Sequence, residues 1–400
     1  MNRFMRQVLP TLLTAMLLVA GCVSRIPTAP VSDLTPVAPA QVPNLTDDMA
    51  LDGLAPAITQ SLIYLRRLPP ERQFRFGSDI FSRDHMIRSL ERVAELLGSE
   101  DPARLARTLK AEFRFYRAAG RDDRGEVLFT GYYEPILQGC RQPDGVCRYP
   151  VYGRPNDLLT IDLSPFGERF AGQRIVGRFT GQTVVPYPDR EAIDGQNVLA
   201  GKAPILAWVD DPVDLFFLQI QGSGRIALSE GGILGLRYAG SNGRPYRSIG
   251  RLLIERNEIS AEAVSMQAIR AYLHTHPYRQ AEVLAYNPSY VFFEVSEGGP
   301  FGSLGVPLTP GRSLAADPQH FPQGALALVC CAKPLTDDGQ RIVQWTPFSR
   351  FMLNQDTGGA IRGPGRADLF WGRGPYAELA AGHLKHPGTL YFMVLNPGAG

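Results

Sequence analysis

The chain has no Gly-x-Ser-x-Gly elbow, and Gly222-Ser223-Gly224 has the wrong spacing for one, so a nucleophilic serine on a strand-to-helix turn is not expected. It also lacks a glycine-rich phosphate loop ending in Lys-Ser/Thr and a dinucleotide fingerprint opening a helix, which argues against nucleotide cofactors. Of six histidines, His274 and His276 lie two apart. They end a helix, where the dipole favours a cationic imidazole, and i, i+2 spacing does not share a helical face. None of the five cysteines falls at a zinc spacing. No metal and no cofactor are therefore expected. Formal charge is only +2, with 41 Lys and Arg against 39 Asp and Glu and no basic cluster, which argues against a nucleic-acid groove. Neither an internal repeat nor a recurring strand–helix alternation is present, so solenoids and doubly wound sheets are set aside.

What is present begins at the N-terminus. Arg3 and Arg6 precede an apolar run from Leu9 to Ala20, then Gly21-Cys22. The run is about a dozen residues, short of the roughly 20 that span a bilayer, and reads as a secretion signal over residues 1–21. Val19-Ala20-Gly21-Cys22 resembles the cleavage and lipid-attachment box of bacterial lipoproteins, which implies Cys22 as the acylated first residue. Val23 follows instead of Asp, and the resemblance then implies sorting to the periplasmic side of the outer membrane. Residues 22–45, rich in Pro, Ala, Val and Thr, read as an extended tether. The remainder, roughly 350 residues, exceeds the ~250–300 at which single cores stop growing, so two domains are expected. Cys140 and Cys147 flank a Pro143-Asp144-Gly145 turn and could close a disulfide loop in an oxidising compartment. Cys330 and Cys331, adjacent in a buried-strand pattern, read as inert thiols.

Ile87, Leu90, Ala94 and Leu97 lie on one face of a helix ending at Gly98, and Asp101-Pro102 caps a second through Leu105, Leu109 and Phe113 to Gly120. Strands are predicted at Val127 to Tyr133, Arg174 to Phe179, Pro204 to Val209 and Asp214 to Gln221, separated by Gly- and Pro-rich turns. Ser248 caps a helix from Ile249 to Arg256, and Ser260 caps another through Val264, Ile269 and Leu273 that stops before Pro277. Strands return at Tyr290 to Val295, Leu326 to Cys330, Arg341 to Trp345 and Thr389 to Leu395. Many short strands with Gly turns predict a mainly β chain with some α-helix, built on barrels.

With other chemistries removed, carboxylates remain, and the densest candidate is the segment from Gln355 to Gly372. Asp356 and Asp368 bracket a turn rich in Gly and Pro. Ala367-Asp368-Leu369-Phe370-Trp371 reads as a strand whose apolar neighbours desolvate Asp368 and raise its pKa, as a proton donor to a glycosidic oxygen requires. The plainer alternative is that Asp356 makes an Asx turn and Asp368 pairs with Arg366 on the same strand face.

This segment resembles the three-aspartate domain of the membrane-bound lytic murein transglycosylase A family, with its three positions at Asp317, Asp356 and Asp368. The likeness extends through Phe129-Thr-Gly-Tyr-Tyr-Glu-Pro135, Gln219-Ile-Gln-Gly-Ser-Gly-Arg225, Tyr246-Arg-Ser-Ile-Gly250, Met266-Gln-Ala-Ile-Arg270, Asn287-Pro-Ser-Tyr-Val-Phe-Phe293 and Val306-Pro-Leu308. Departures are Glu134, where many relatives carry a neutral residue, the Cys140–Cys147 loop, and Arg362 and Arg366 beside the site. The resemblance implies a double-psi β-barrel from residues 46–137 and 286–400, an inserted β-rich domain over 138–285, and a glycan groove between them. It implies Asp368 as sole general acid and base, Asp356 in support, and no cofactor. Aromatic, amide and hydroxyl lining at Tyr132, Tyr133, Gln219, Gln221, Gly222, Ser223, Ser248 and Asp317 would hold sugar. The implied activity is cleavage of the MurNAc–GlcNAc bond of peptidoglycan with formation of 1,6-anhydro ends, in wall turnover, growth and division. The implied partners are peptidoglycan glycan strands, the outer membrane through the lipid, and cell-wall synthesis or division proteins. A two-carboxylate hydrolase using Asp356 as base and a non-catalytic wall-binding lipoprotein are the alternatives.

Replacing Cys22 with Ala should leave an uncleaved or mislocalised but catalytically competent protein. Unchanged fractionation of Cys22→Ala would contradict lipid attachment.

Overall fold

A computed structural model describes residues 33–99, 101–121, 124–337 and 341–398; the signal segment and Cys22 lie outside them. In chain order the described part opens with strand β1 (Leu34–Val37), helix α1 (Leu54–Arg67), the hairpin β2 (Gln73–Phe76) and β3 (Asp79–Ser82), and helices α2 (Arg83–Ser99) and α3 (Pro102–Glu112). Strands β4 (Phe113–Ala118), β5 (Val127–Tyr132), β6 (Ile136–Cys140), β7 (Tyr149–Tyr152), β8 (Leu159–Asp162), β9 (Arg174–Thr180) and β10 (Thr183–Pro186) follow. Then come α4 (Arg190–Gln196), β11 (Ile205–Val209), α5 (Pro212–Gln221), β12 (Ser223–Leu228), β13 (Ile233–Ser241), α6 (Ile249–Glu255), α7 (Met266–Thr275) and α8 (Gln280–Ala285). The chain closes with β14 (Val291–Val295), β15 (Ser313–Ala316), β16 (Leu326–Asp337), β17 (Arg341–Asp356), β18 (Arg366–Phe370), α9 (Pro375–His383) and β19 (Lys385–Leu395).

Six strands close a barrel in the order β5-β19-β16-β17-β15-β18 and back to β5, the double-psi β-barrel expected. Closure depends on β19, whose first half pairs with β5 at Lys385 to Gly388 and whose second half pairs with β16 from Thr389. At the switch a Cβ on Gly388 would sit 2.3 Å from the Cys330 carbonyl oxygen, so only glycine permits it. Two pairs are parallel, β15 with β17 and β18 with β5. The barrel interior is a single apolar cluster that also receives α1, α2 and α3. The inserted domain has its own sheet, β14-β13-β12-β6-β11-β7, with a Gly153–Phe293 bridge joining its two ends. Arg270 and Gln267 of α7 seat it on the barrel helix α9. Arg270 Nη1 donates to Glu378 Oε1 at 2.7 Å, and Gln267 Nε2 donates to the Glu378 carbonyl at 2.9 Å. Cys140 and Cys147 form the disulfide, and burial pushes the Cys331 thiol up to about 12.

Several expectations are corrected. Residues 34–45 are not tether: β1 pairs with β4 and buries Leu34, and Val42 and Leu45 are also buried. Asp47 and Asp48 then fasten the segment. Arg312, fully buried, forks onto Asp47 at 2.6 and 2.9 Å, while Asp48 takes Lys333 at 2.6 Å and Arg350 at 2.8 Å. Burial alone would raise the Asp47 carboxyl, but Arg312 and backbone amides outweigh it and hold the group below its usual range. The helix after Asp101 stops at Glu112, because Phe113 to Ala118 pairs with both β1 and β19. Asp214 to Gln221 is helical, not extended. Asp211 caps it by accepting from Val213 N at 2.7 Å with Pro212 behind, and its continuous apolar run is buried on nearly every side. The helix expected from Ser260 starts at Met266, capped by Ser265. The short strands expected near 326 and 341 are parts of one long hairpin, β16 and β17. The insert's sheet runs from Ile136 to Val295, beyond the boundaries of 138 and 285.

Removing one member of a buried ion pair strands the other, at a cost of roughly 3–5 kcal/mol. Arg312→Ala should lose that much in urea unfolding at neutral pH. A loss below about 1 kcal/mol would show that the Asp47 segment is not fastened this way.

Candidate active site

Strand β18 is built by alternation. Ala367 and Leu369 enter the barrel core, so Arg366, Asp368 and Phe370 face outward. In register, Asp368 lies between Thr130 of β5 and Ala315 of β15. Phe370, Tyr132, Leu308 and Ala315 form a small apolar cluster on that outer face, with the Tyr132 and Phe370 rings 5.1 Å apart. Asp368 keeps part of its surface accessible, yet its Oδ1 is shielded and has no hydrogen-bond partner. Burial raises its pKa most, the Thr130 hydroxyl and Arg366 pull it back, and the Asp356 charge adds to the rise; the carboxyl is pushed up to about 6. Neither Asp368 nor Arg366 joins an ion pair among the described residues, so the plainer alternative of an Arg366–Asp368 pair is not realised.

Asp356 ends β17 in a different environment. Its Oδ1 accepts from Ser303 N and Thr357 N, both at 2.8 Å, and its Oδ2 accepts from the Tyr132 hydroxyl at 3.0 Å. Burial raises this carboxyl too, against those donors. Burial together with the Asp356 charge holds the Tyr132 phenol well above its usual value, so Tyr132 stays a donor. Asp317, just past β15, turns its buried carboxylate to backbone amides, accepting from Gln319 N at 3.1 Å and Gly363 N at 2.8 Å. It therefore shapes the turn between Asp356 and Asp368.

The other candidates separate. Tyr133 N donates to Gln221 Oε1 at 3.1 Å, so Gln221 and Tyr133 fix the crossover into the insert. Gly222 ends α5 in the left-handed region at φ 78°, and Ser223 is buried at the start of β12. Gln219 belongs to the insert's interior and not to a groove wall: it is 4% exposed and its Oε1 accepts from Arg190 Nη2 at 2.5 Å. Helix α5 turns it inward where a strand would have placed it beside Gln221. Ser248 caps α6 by accepting from Arg251 N at 3.2 Å. Close by, Tyr246 is 41% exposed and lies within the electrostatic reach of Arg366, which brings this part of the insert to the outer face of β18. Thr130, Ser303 and Tyr246 were not singled out from sequence. Thr130 and Tyr246 do sit inside segments quoted for the resemblance, whereas Ser303, which meets Asp356 through both its backbone amide and its hydroxyl, lies outside them.

The chain matches the MltA specific insert domain over residues 128–294 and the 3D domain over residues 312–394. It is 34% identical over 301 residues to membrane-bound lytic murein transglycosylase A of Vibrio cholerae, covering 74% of this chain and 72% of that protein. The chain belongs to the MltA family. Identity to the Escherichia coli K12 member is 35% over 288 residues, 71% of this chain and 70% of that one. Among solved structures, a membrane-bound lytic murein transglycosylase from Agrobacterium tumefaciens superposes with a TM-score of 0.75 at 32% identity, covering 91% of this chain and 98% of that one. E. coli MltA with bound chitohexaose superposes at 0.68 and 27% identity, covering 92% and 96%. The insert matched by the MltA model corresponds to the second sheet, and the 3D match contains β15 through most of β19 with all three aspartates.

Because the folded state raises the Asp368 pKa, its contribution to stability is fully present below pH 4 and is lost as pH rises through about 6. Asp368→Asn removes that penalty. Discounted for the open side of the cleft, the gain should be about 1–2 kcal/mol in unfolding free energy at pH 8, fading below pH 4. An Asn variant no more stable than wild type at pH 8 would show that folding does not raise the pKa of this carboxyl.

Proposed function

We propose that this protein cleaves peptidoglycan glycan strands as a lytic transglycosylase, with Asp368 as the only general acid and base. The observation that carries this reading is Asp368 itself: a carboxyl on the outer barrel face, raised to about 6, with no ion-pair partner and an Oδ1 left without a hydrogen bond. A protonated carboxyl so placed can give its proton to the glycosidic oxygen between the muramyl and N-acetylglucosaminyl sugars. As the C1–O bond breaks, the muramyl C6 hydroxyl forms the new bond to C1, and its proton passes to the Asp368 carboxylate. Acid and base are then restored with no water consumed, and attack within one sugar benefits from a high effective molarity.

Asp356 serves this group without replacing it. Both its oxygens already accept hydrogen bonds, which leaves it poorly placed to activate a water as the base of a two-carboxylate hydrolase. Its charge instead helps keep Asp368 protonated. Lipid anchoring through Cys22 on the periplasmic side of the outer membrane would bring the cleft to the wall; the support for this is the sequence of residues 1–22.

A general acid–base group is typically worth about 10²–10⁴ in rate, and here one residue serves both half-reactions, so Asp368→Asn should lose at least 10⁴-fold in release of 1,6-anhydromuropeptides. Asp356→Asn should retain measurable activity. Comparable release by wild type and Asp368→Asn, at equal circular dichroism and equal binding to sacculi, would sink the mechanism, and equal loss at both aspartates would favour two carboxylates.

A further inference from the structure

We propose, resting on the glycan-cleft reading above, that Arg366 is a specificity-determining residue whose guanidinium receives the carboxyl-derived oxygen of the lactyl group on O3 of the muramyl ring. Arg366 and Asp368 share the outward face of β18. Two residues along a strand advance about 7 Å, close to the span of a sugar ring, so a group beside the acid's C1 position is one ring away from substituents on the far side. On the insert side Arg366 lies within electrostatic reach of the exposed Tyr246.

The guanidinium is conspicuous for what it does not contact. Its Nε is shielded from solvent and has no hydrogen-bond partner, and it makes no ion pair among the described residues. Several other buried or part-buried arginines pair with carboxylates, Arg225 with Glu134 at 2.8 Å, Arg270 with Glu378 at 2.7 Å, Arg312 with Asp47 at 2.6 Å and Arg350 with Asp48 at 2.8 Å, while Arg117 and Arg178 share the unpartnered Nε but not the position beside Asp368. Carboxylates of the site that could have quenched Arg366 are committed elsewhere. Asp317 is bound to the amides of Gln319 and Gly363, and Asp356 to Ser303, Thr357 and Tyr132. A partly desolvated, unpaired cation is costly to keep. It also works against the acid, since its charge pulls the Asp368 pKa down. Both costs are offset if an anionic or carbonyl oxygen of the substrate completes the pair, and a guanidinium fork suits a carboxyl group. Of the two sugars in the strand, only the muramyl unit carries such a group on O3.

The test compares two ligands on the cleavage-deficient Asp368→Asn protein, with Arg366 intact or changed to Gln or Lys, each variant checked by thermal melt. One ligand is peptide-stripped glycan, which presents free lactyl carboxylates; the other is chitohexaose, which has none. Arg366→Gln should weaken binding of stripped glycan by roughly 10- to 100-fold, the worth of a charge-assisted hydrogen bond, and leave chitohexaose within about twofold. Arg366→Lys, which keeps the charge and loses the fork, should fall between. Equal losses for the two ligands, or no loss for either, would overturn the assignment of Arg366 alone. Failure of the Asp368→Asn parent to bind either ligand would overturn the glycan-cleft reading and the assignment with it.

Discussion

Strand β18 is held between β5 in parallel and β15 in antiparallel pairing, and the site depends on that arrangement. A slip of one residue would turn Asp368 into the core and bring Ala367 or Leu369 to the surface, so the apolar alternation that fills the barrel also aims the acid outward. The same pairing sets Thr130 and Ala315 beside it, a weak polar neighbour and an apolar one. The barrel itself closes only because β19 serves β5 at one end and β16 at the other, which Gly388 allows. The geometry of the candidate site and the stability of the fold therefore share one set of hydrogen-bonded strands.

Two carboxylates within electrostatic reach receive opposite treatment. Asp356 is given two backbone amides and a phenol, whereas one oxygen of Asp368 is given nothing. An unsatisfied buried polar atom is expensive in a resting protein. In the proposed mechanism that expense raises the carboxyl's affinity for its proton and leaves an oxygen free to exchange it with substrate. Arg366 follows a similar pattern with the opposite charge, and the two unpaired groups lie on one outward face of one strand. The insert, fastened by Arg270 and Gln267 to α9, brings Tyr246 to that face, so the cleft is assembled from both parts of the chain.

Much of this was legible in the sequence where local pattern and final structure agree. The alternation of Ala367 to Trp371 gave a strand with Asp368 set against its apolar residues, and the Pro143-Asp144-Gly145 turn gave the disulfide loop. The capped helix at Ser248 was also plain. What was hidden depends on distant partners. Phe113 to Ala118 continues a helical pattern but is claimed by β1 and β19. Residues 34–45 look like linker until β4 and the buried Arg312 receive them. The run from Asp214 to Gln221 is apolar on every side, so periodicity could not separate helix from strand. That ambiguity decided the fate of Gln219, which a helix buries. Ser303 lies outside every quoted motif, and only the fold brings it to Asp356.

The central claim is that the attacking nucleophile is the sugar's own hydroxyl, driven by one carboxyl group. Digesting sacculi with the protein in water enriched in oxygen-18 and weighing the soluble products tests it directly. The account predicts muramyl ends one water lighter than reducing ends, with no oxygen-18 at C1. Reducing ends that carry oxygen-18 would contradict it and make the protein a hydrolase.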